Sequence, residues 1–292
     1  MEQNNSGNGR RLNFFQLYAV FLGLDSVDSF MYGRNRVLIQ QFYNVYYSEA
    51  VYKGALKDRA SQDELKEKQS KLEEESVSLK NEFEKYVRQR GKHYNKIWVT
   101  PQMSSIYPHI VENPNISEVF LRFVEAIEQY GQWRSALNDE QLLVIYRKNL
   151  EDRQKYYGGD ECFKDFNEEL LQKIDISKLT NNKMLKQALI EFHNAISHLV
   201  AAYYGKKQER NKERAINHFK RGALDSYKAI IKDFYHLYNA KKVTYKLSLE
   251  LIENIRKKEY LSIGSDNVLF EAYKNITDPI ISKINEQNKP QA

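Results

Sequence analysis

The chain has 292 residues, a net charge of +6, and 41% hydrophobic, 29% charged and 13% aromatic residues, so there is apolar material for a real core. The basic excess is mild: it suits an anionic partner and equally a solvated, lysine-rich surface. The single cysteine, Cys162, excludes a disulfide framework and a cysteine-based zinc site, and fits a reducing, cytoplasmic setting.

In chain order, residues 1–11 are rich in Asn and Gly and read as a disordered start without the apolar segment of a signal peptide. No apolar run reaches the roughly 18 residues that a membrane span needs, so no membrane is expected. Residues 12–30 read as a helix that is apolar on most sides. A second helix over 34–56 carries an aromatic stripe through Phe42, Tyr43, Tyr46 and Tyr47.

Ser61 followed by Glu64 has the form of a capping box, which opens a Lys/Glu-rich helix over 61–90. Leu65, Leu72, Leu79 and Tyr86 recur every seven residues with polar companions, the narrow seam of a projecting, coiled-coil-like arm that offers a surface to a protein partner. Residues 97–115 hold three of the five prolines and form the best loop. No proline follows until Pro279, and since proline costs about 3 kcal/mol inside a helix, the gap predicts continuous helices. These are placed at 117–137, 139–157, 163–174, 184–204, 210–239, 243–259 and 267–287. Strand alternation is absent apart from a short apolar piece at 97–99. The fold class is therefore all-α. An N-terminal helical region over 12–175 bears the arm, and a C-terminal helical bundle spans 176–292.

Four of the six histidines fall at 193, 198, 218 and 236, within two long helices joined by the turn-like stretch 205–209. With the turn centred near Gln208, His198 and His218 lie at equal distances from it and are expected to face each other. Asn194 and His198 share a face, and Arg214, His218, Arg221 and Asp225 follow a spacing of four, three and four along the facing helix. Histidine titrates near neutrality and arginine fits an anion with its planar fork, so the pattern suits general acid–base work or the holding of a phosphate. A purely structural polar seam is the alternative. Zinc is disfavoured because His193 and His198, five apart, point to different sides of their helix. No metal or cofactor is expected, and no Gly-rich phosphate loop or hydrolase motif occurs.

His193-Asn194-Ala195-Ile196-Ser197-His198 resembles the signature of the HEPN superfamily of helical RNA-acting domains: an Arg, a polar residue, a few variable residues, then His. The resemblance extends over about 176–287. It implies that His198 is the acid or base of a metal-independent endoribonuclease, that Asn194 is its partner, and that the chain forms a homodimer. It also implies a place in a bacterial defence or toxin system. The position of the Arg is taken by His193, which opens the possibility of a degenerate member that binds RNA without cutting it. His193, His218, Arg221 and Arg214 are the candidate phosphate contacts. Arg88 and Arg90, near His93, Tyr94 and Trp98, form a second candidate RNA surface, although a helix end with a solvated basic face explains them as simply. The formal Arg-x4-His from Arg88 to His93 is no more than chance supplies. The alternative function is a non-catalytic helical adaptor working through the arm.

Overall fold

The computed structural model describes residues 12–32, 35–89, 101–102, 114–156, 184–261 and 266–289. Among these residues the chain is all-α, as expected. Its helices are α1 (Phe14–Tyr32), α2 (Arg36–Lys57), α3 (Gln62–Arg88), α4 (Pro114–Ala136), α5 (Asp139–Tyr156), α6 (Lys186–Tyr203), α7 (Gln208–Asn239), α8 (Leu249–Tyr260) and α9 (Asp266–Asn288). The only extended pairing among them is a two-residue parallel bridge, Leu12–Asn13 with Pro101–Gln102. The expected strand piece at 97–99, the helix at 163–174 and the domain boundary near 176 lie outside the described residues.

Several helix starts are fixed by side chains that replace the missing backbone partners of a first turn. Ser61 Oγ accepts from Glu64 N, as its spacing predicts. Asn13 and Gln16 exchange bonds of 3.0 and 2.9 Å at the start of α1, and Asn138 and Gln141 do the same ahead of α5. These two are capping boxes built from Asn and Gln.

Two compact units emerge, each assembled from two stretches of chain. The first comprises the described parts of Met1–Phe120 with Leu189–Phe219, the second those of Leu121–Ala188 with Lys220–Ala292. The turn-proximal half of the 184–239 hairpin thus belongs with the N-terminal helices, a division set by contacts across the chain rather than by a linker.

The first unit has an aromatic core. Phe14, Tyr18 and Phe21 of α1 meet Phe42 of α2 at ring separations of 5.5, 4.6 and 5.3 Å. Tyr46 meets Phe120 at 4.7 Å, and Tyr43 meets Phe192 of α6 at 5.3 Å. Phe120 also meets Phe219 of α7 at 5.2 Å. The stripe read on α2 is this core.

The expectation of a projecting arm needs correction for half of α3. Leu79, Phe83, Tyr86 and Val87 are buried, with Phe83 against Phe42 and Tyr86 against Phe21. Asn44 of α2 bonds Glu75 across the same pair of helices. Phe83 and Val87 widen the heptad seam into a real apolar face near the C-terminal end, so that end docks. Toward the N-terminal end, Leu65 and Leu72 stay half-exposed.

The second unit is built around Trp133, Tyr227, Phe234, Phe270 and Tyr273, all buried, with Tyr227 and Tyr273 stacked at 6.1 Å. The helix expected over 243–259 begins only at Leu249. Val243 and Leu247 are buried in a non-helical stretch that follows Lys241, whose φ of 56° ends α7. Among the described residues no helix is long and apolar enough to cross a membrane.

Candidate functional site

The turn between α6 and α7 sets the site. Gly205 N bonds Ala202 O and Lys206 N bonds Ala201 O, both at 2.9 Å, with Gly205 at φ 76°. This is a Schellman closure, in which a glycine takes the left-handed conformation and the last carbonyls of the helix find donors. α7 then returns antiparallel to α6.

Two hydrogen bonds fix the register. His198 Nδ1 lies 3.0 Å from Asn211 Oδ1, and His218 Nδ1 lies 2.6 Å from Glu191 Oε2. Both pairs centre between residues 204 and 205 rather than at Gln208. The rings nevertheless stack, with centroids 5.3 Å apart and planes at 17°. Helical side chains lean toward their own N-terminus. On antiparallel helices the side chains of α6 and α7 therefore point along opposite senses of the pair axis.

Hydrogen-bonding logic settles which ring nitrogen of each carries a proton. Asn211 Nδ2 donates to Lys206 O at 2.5 Å, and a backbone carbonyl can only accept. The amide oxygen must then face His198, so Nδ1 of His198 donates and its Nε2 is left without a proton in the neutral ring. Glu191, whose side chain is 3% exposed against 22% for His218, offers a carboxylate oxygen. The Nδ1 of His218 is therefore the donor there. Burial is the largest influence on His198 and lowers its pKa from the usual imidazole value. His218 and Arg214 lower it further, while the bond to Asn211 works the other way.

The remaining candidates divide. Asn194 is half-buried one turn before His198, and Arg214 is exposed one turn before His218. Arg221 is exposed on the part of α7 that belongs to the second unit. His193 is not at the site: it is 5% exposed in the aromatic core, with Nδ1 2.9 Å from Tyr18 Oη and its ring edge-on to Phe21. Five residues turn a helix by about 140° beyond one full turn, which sends His193 to the side opposite His198. Its expected role as a phosphate contact gives way to one in packing. Arg88 is exposed and paired with Glu84 at 3.3 Å, and Arg90 lies outside the described residues.

Glu191 and Asn211 were not singled out from the sequence, yet their signal is there. Glu191, Asn194 and His198 are spaced three and four apart, as are Asn211, Arg214 and His218. One step further back along each face reaches both residues. Among the described residues no cluster of three or more His, Cys, Asp or Glu is arranged to hold a metal ion. Comparison with family models, curated proteins and solved structures finds no match.

Proposed function

We propose that this protein acts on RNA as a HEPN-like, metal-independent endoribonuclease, with His198 and His218 as its acid–base pair. The observation that carries the reading is the stacking of two imidazoles whose Nδ1 atoms are both engaged within the protein. Their Nε2 atoms are the ones left for a substrate. In the reaction a ribose 2′-oxygen attacks the adjacent phosphorus as one histidine takes its proton. The bond from phosphorus to the 5′-oxygen breaks, and the other histidine protonates that oxygen. The products are a 2′,3′-cyclic phosphate and a 5′-hydroxyl. Arg214, exposed beside the pair, supplies positive charge for the phosphate.

A homodimer and a cytoplasmic role in a bacterial defence or toxin system complete the proposal and rest on the HEPN resemblance. A second reading, the helical adaptor, draws on the largely exposed N-terminal half of α3, where Lys68 pairs with Glu64 and Lys71 with Glu74 along the helix. The deciding experiment incubates total RNA with wild type and with His198→Ala, both in excess EDTA. Cleavage by wild type and loss of at least about a hundredfold in the variant, the scale of general acid–base catalysis, supports the nuclease. RNA retention without cleavage points to a degenerate binder, and neither activity points to the adaptor.

A further inference from the structure

We infer that Asn211 sets the tautomer of the base of the stacked pair: it holds His198 with its proton on Nδ1 and a bare Nε2, while Glu191 fixes His218, the acid of the proposed reaction, through its Nδ1. The inference rests on the nuclease reading for its catalytic meaning, but the proton positions themselves are properties of the resting protein.

For His198 the argument is one of donors and acceptors. The short bond from Asn211 Nδ2 to Lys206 O anchors the amide. A reversed amide would set its NH2 group against His198 and its oxygen against a carbonyl oxygen. The anchored form accepts from His198 Nδ1 and excludes the tautomer with the proton on Nε2. Lys206 O belongs to the Schellman turn, so the turn that joins the helices also selects the tautomer of the ring two turns away. The groups facing His198 are His218 and Arg214 from α7. Both are cationic when protonated, and so both favour a neutral His198. Burial, the largest influence, acts in the same direction, and the bond to Asn211, which sets the tautomer, opposes them in the charge balance without reversing it.

For His218 the partner is Glu191, whose Oε2 lies 2.6 Å from Nδ1 and leaves Nε2 as the ring atom that can serve the leaving oxygen. Stacked at 5.3 Å, the two rings disfavour a state in which both are charged. During turnover the proton taken from the 2′-oxygen goes to His198 Nε2, and the one given to the 5′-oxygen comes from His218 Nε2. Asn211 and Glu191 touch neither oxygen and are positioning residues.

The test is long-range 1H–15N NMR of the full chain labelled in histidine, with assignment by His198→Gln and His218→Gln. Wild-type His198 at pH 7.5 should show a protonated Nδ1 and an Nε2 shift typical of a bare imidazole nitrogen. Asn211→Leu should convert it to the Nε2–H tautomer or to a mixture, and Asn211→Gln should restore it. In cleavage, Asn211→Leu should lower kcat by more than about tenfold with KM little changed, again on the scale of general acid–base catalysis. Glu191→Gln should lower kcat and leave the His198 tautomer as in wild type. A wild-type His198 protonated on Nε2 overturns the inference, whether or not RNA is cut, and needs no variant to fold. The predicted tautomer without RNA cleavage sinks the nuclease reading instead and leaves the proton assignment standing. An Asn211→Leu protein that folds, changes tautomer and keeps full kcat removes the catalytic meaning of Asn211.

Discussion

Tyr18 and His193, 175 residues apart in sequence, share a buried hydrogen bond of 2.9 Å in the aromatic core of the first unit. The bond gives His193 a structural task. His193→Ala leaves a cavity and removes one hydrogen bond of Tyr18, and is expected to cost about 2–4 kcal/mol in urea denaturation. Tyr18→Phe should cost about 1 kcal/mol. If His193→Ala instead unfolds at the wild-type midpoint, the packing role assigned to it is wrong.

The two halves of α3 should respond differently to truncation. Phe83 is 2% exposed and in contact with Phe42, so Phe83→Ala is expected to destabilise by about 3–5 kcal/mol. Leu65, half-exposed near the helix start, should cost less than about 1 kcal/mol as alanine. Equal costs at the two positions would contradict a helix docked at one end only.

Gly205 has open space where a side chain would go, yet its φ of 76° lies in the left-handed region. Gly205→Ala therefore isolates backbone strain from crowding, and is expected to cost about 1 kcal/mol. The same substitution should leave the His198 tautomer unchanged, because Lys206 O keeps its place.

Glu49 is 2% exposed and paired with Lys53 at 3.2 Å, while its Oε2 has no hydrogen-bond partner. Burial raises its pKa to about 7, with Lys53 acting against the rise. The folded state thus binds a proton that the unfolded state has already lost near the ordinary glutamate value of 4.5. The stability this confers is complete below that lower value and disappears as the pH climbs through about 7. Between pH 4.5 and 8 the wild type should lose up to about 3 kcal/mol relative to Glu49→Gln. Reading this as a difference between the two proteins cancels the opposite contribution of His198, whose lowered pKa favours the fold on the alkaline side. A wild-type-minus-variant stability that is flat with pH would refute the assignment.

Much of this was legible in the residues. The proline gap and the Ser61 cap announced long helices, and the spacing of His198 and His218 announced their meeting. The turn centre expected at Gln208 is several residues from the one about which the two hydrogen bonds are placed, yet the rings still stack. Other features depended on partners that no local pattern reveals. His193 carries the same helical spacing whether it faces solvent or core, and only α1, from the other end of the chain, decides which. Phe83 and Val87 look like isolated interruptions of a polar helix until α2 is laid beside them. The Asn–Gln capping boxes escaped notice because the better-known form uses Ser or Thr with Glu.

The helices α4, α6 and α7 each begin in one unit and end in the other. In genetic terms, 121–188 is an insertion into the sequence of the first unit, and 189–219 is an insertion into that of the second. No single stop codon or internal start therefore yields either unit intact. A product ending at 219 carries 121–188 without its complement. One starting at 121 carries the histidine hairpin without Phe14, Tyr18 and Phe42. Nicks and frameshifts should accordingly give products that are cleared rather than half-active domains. A split version of the protein should regain its fold only when both fragments are made together.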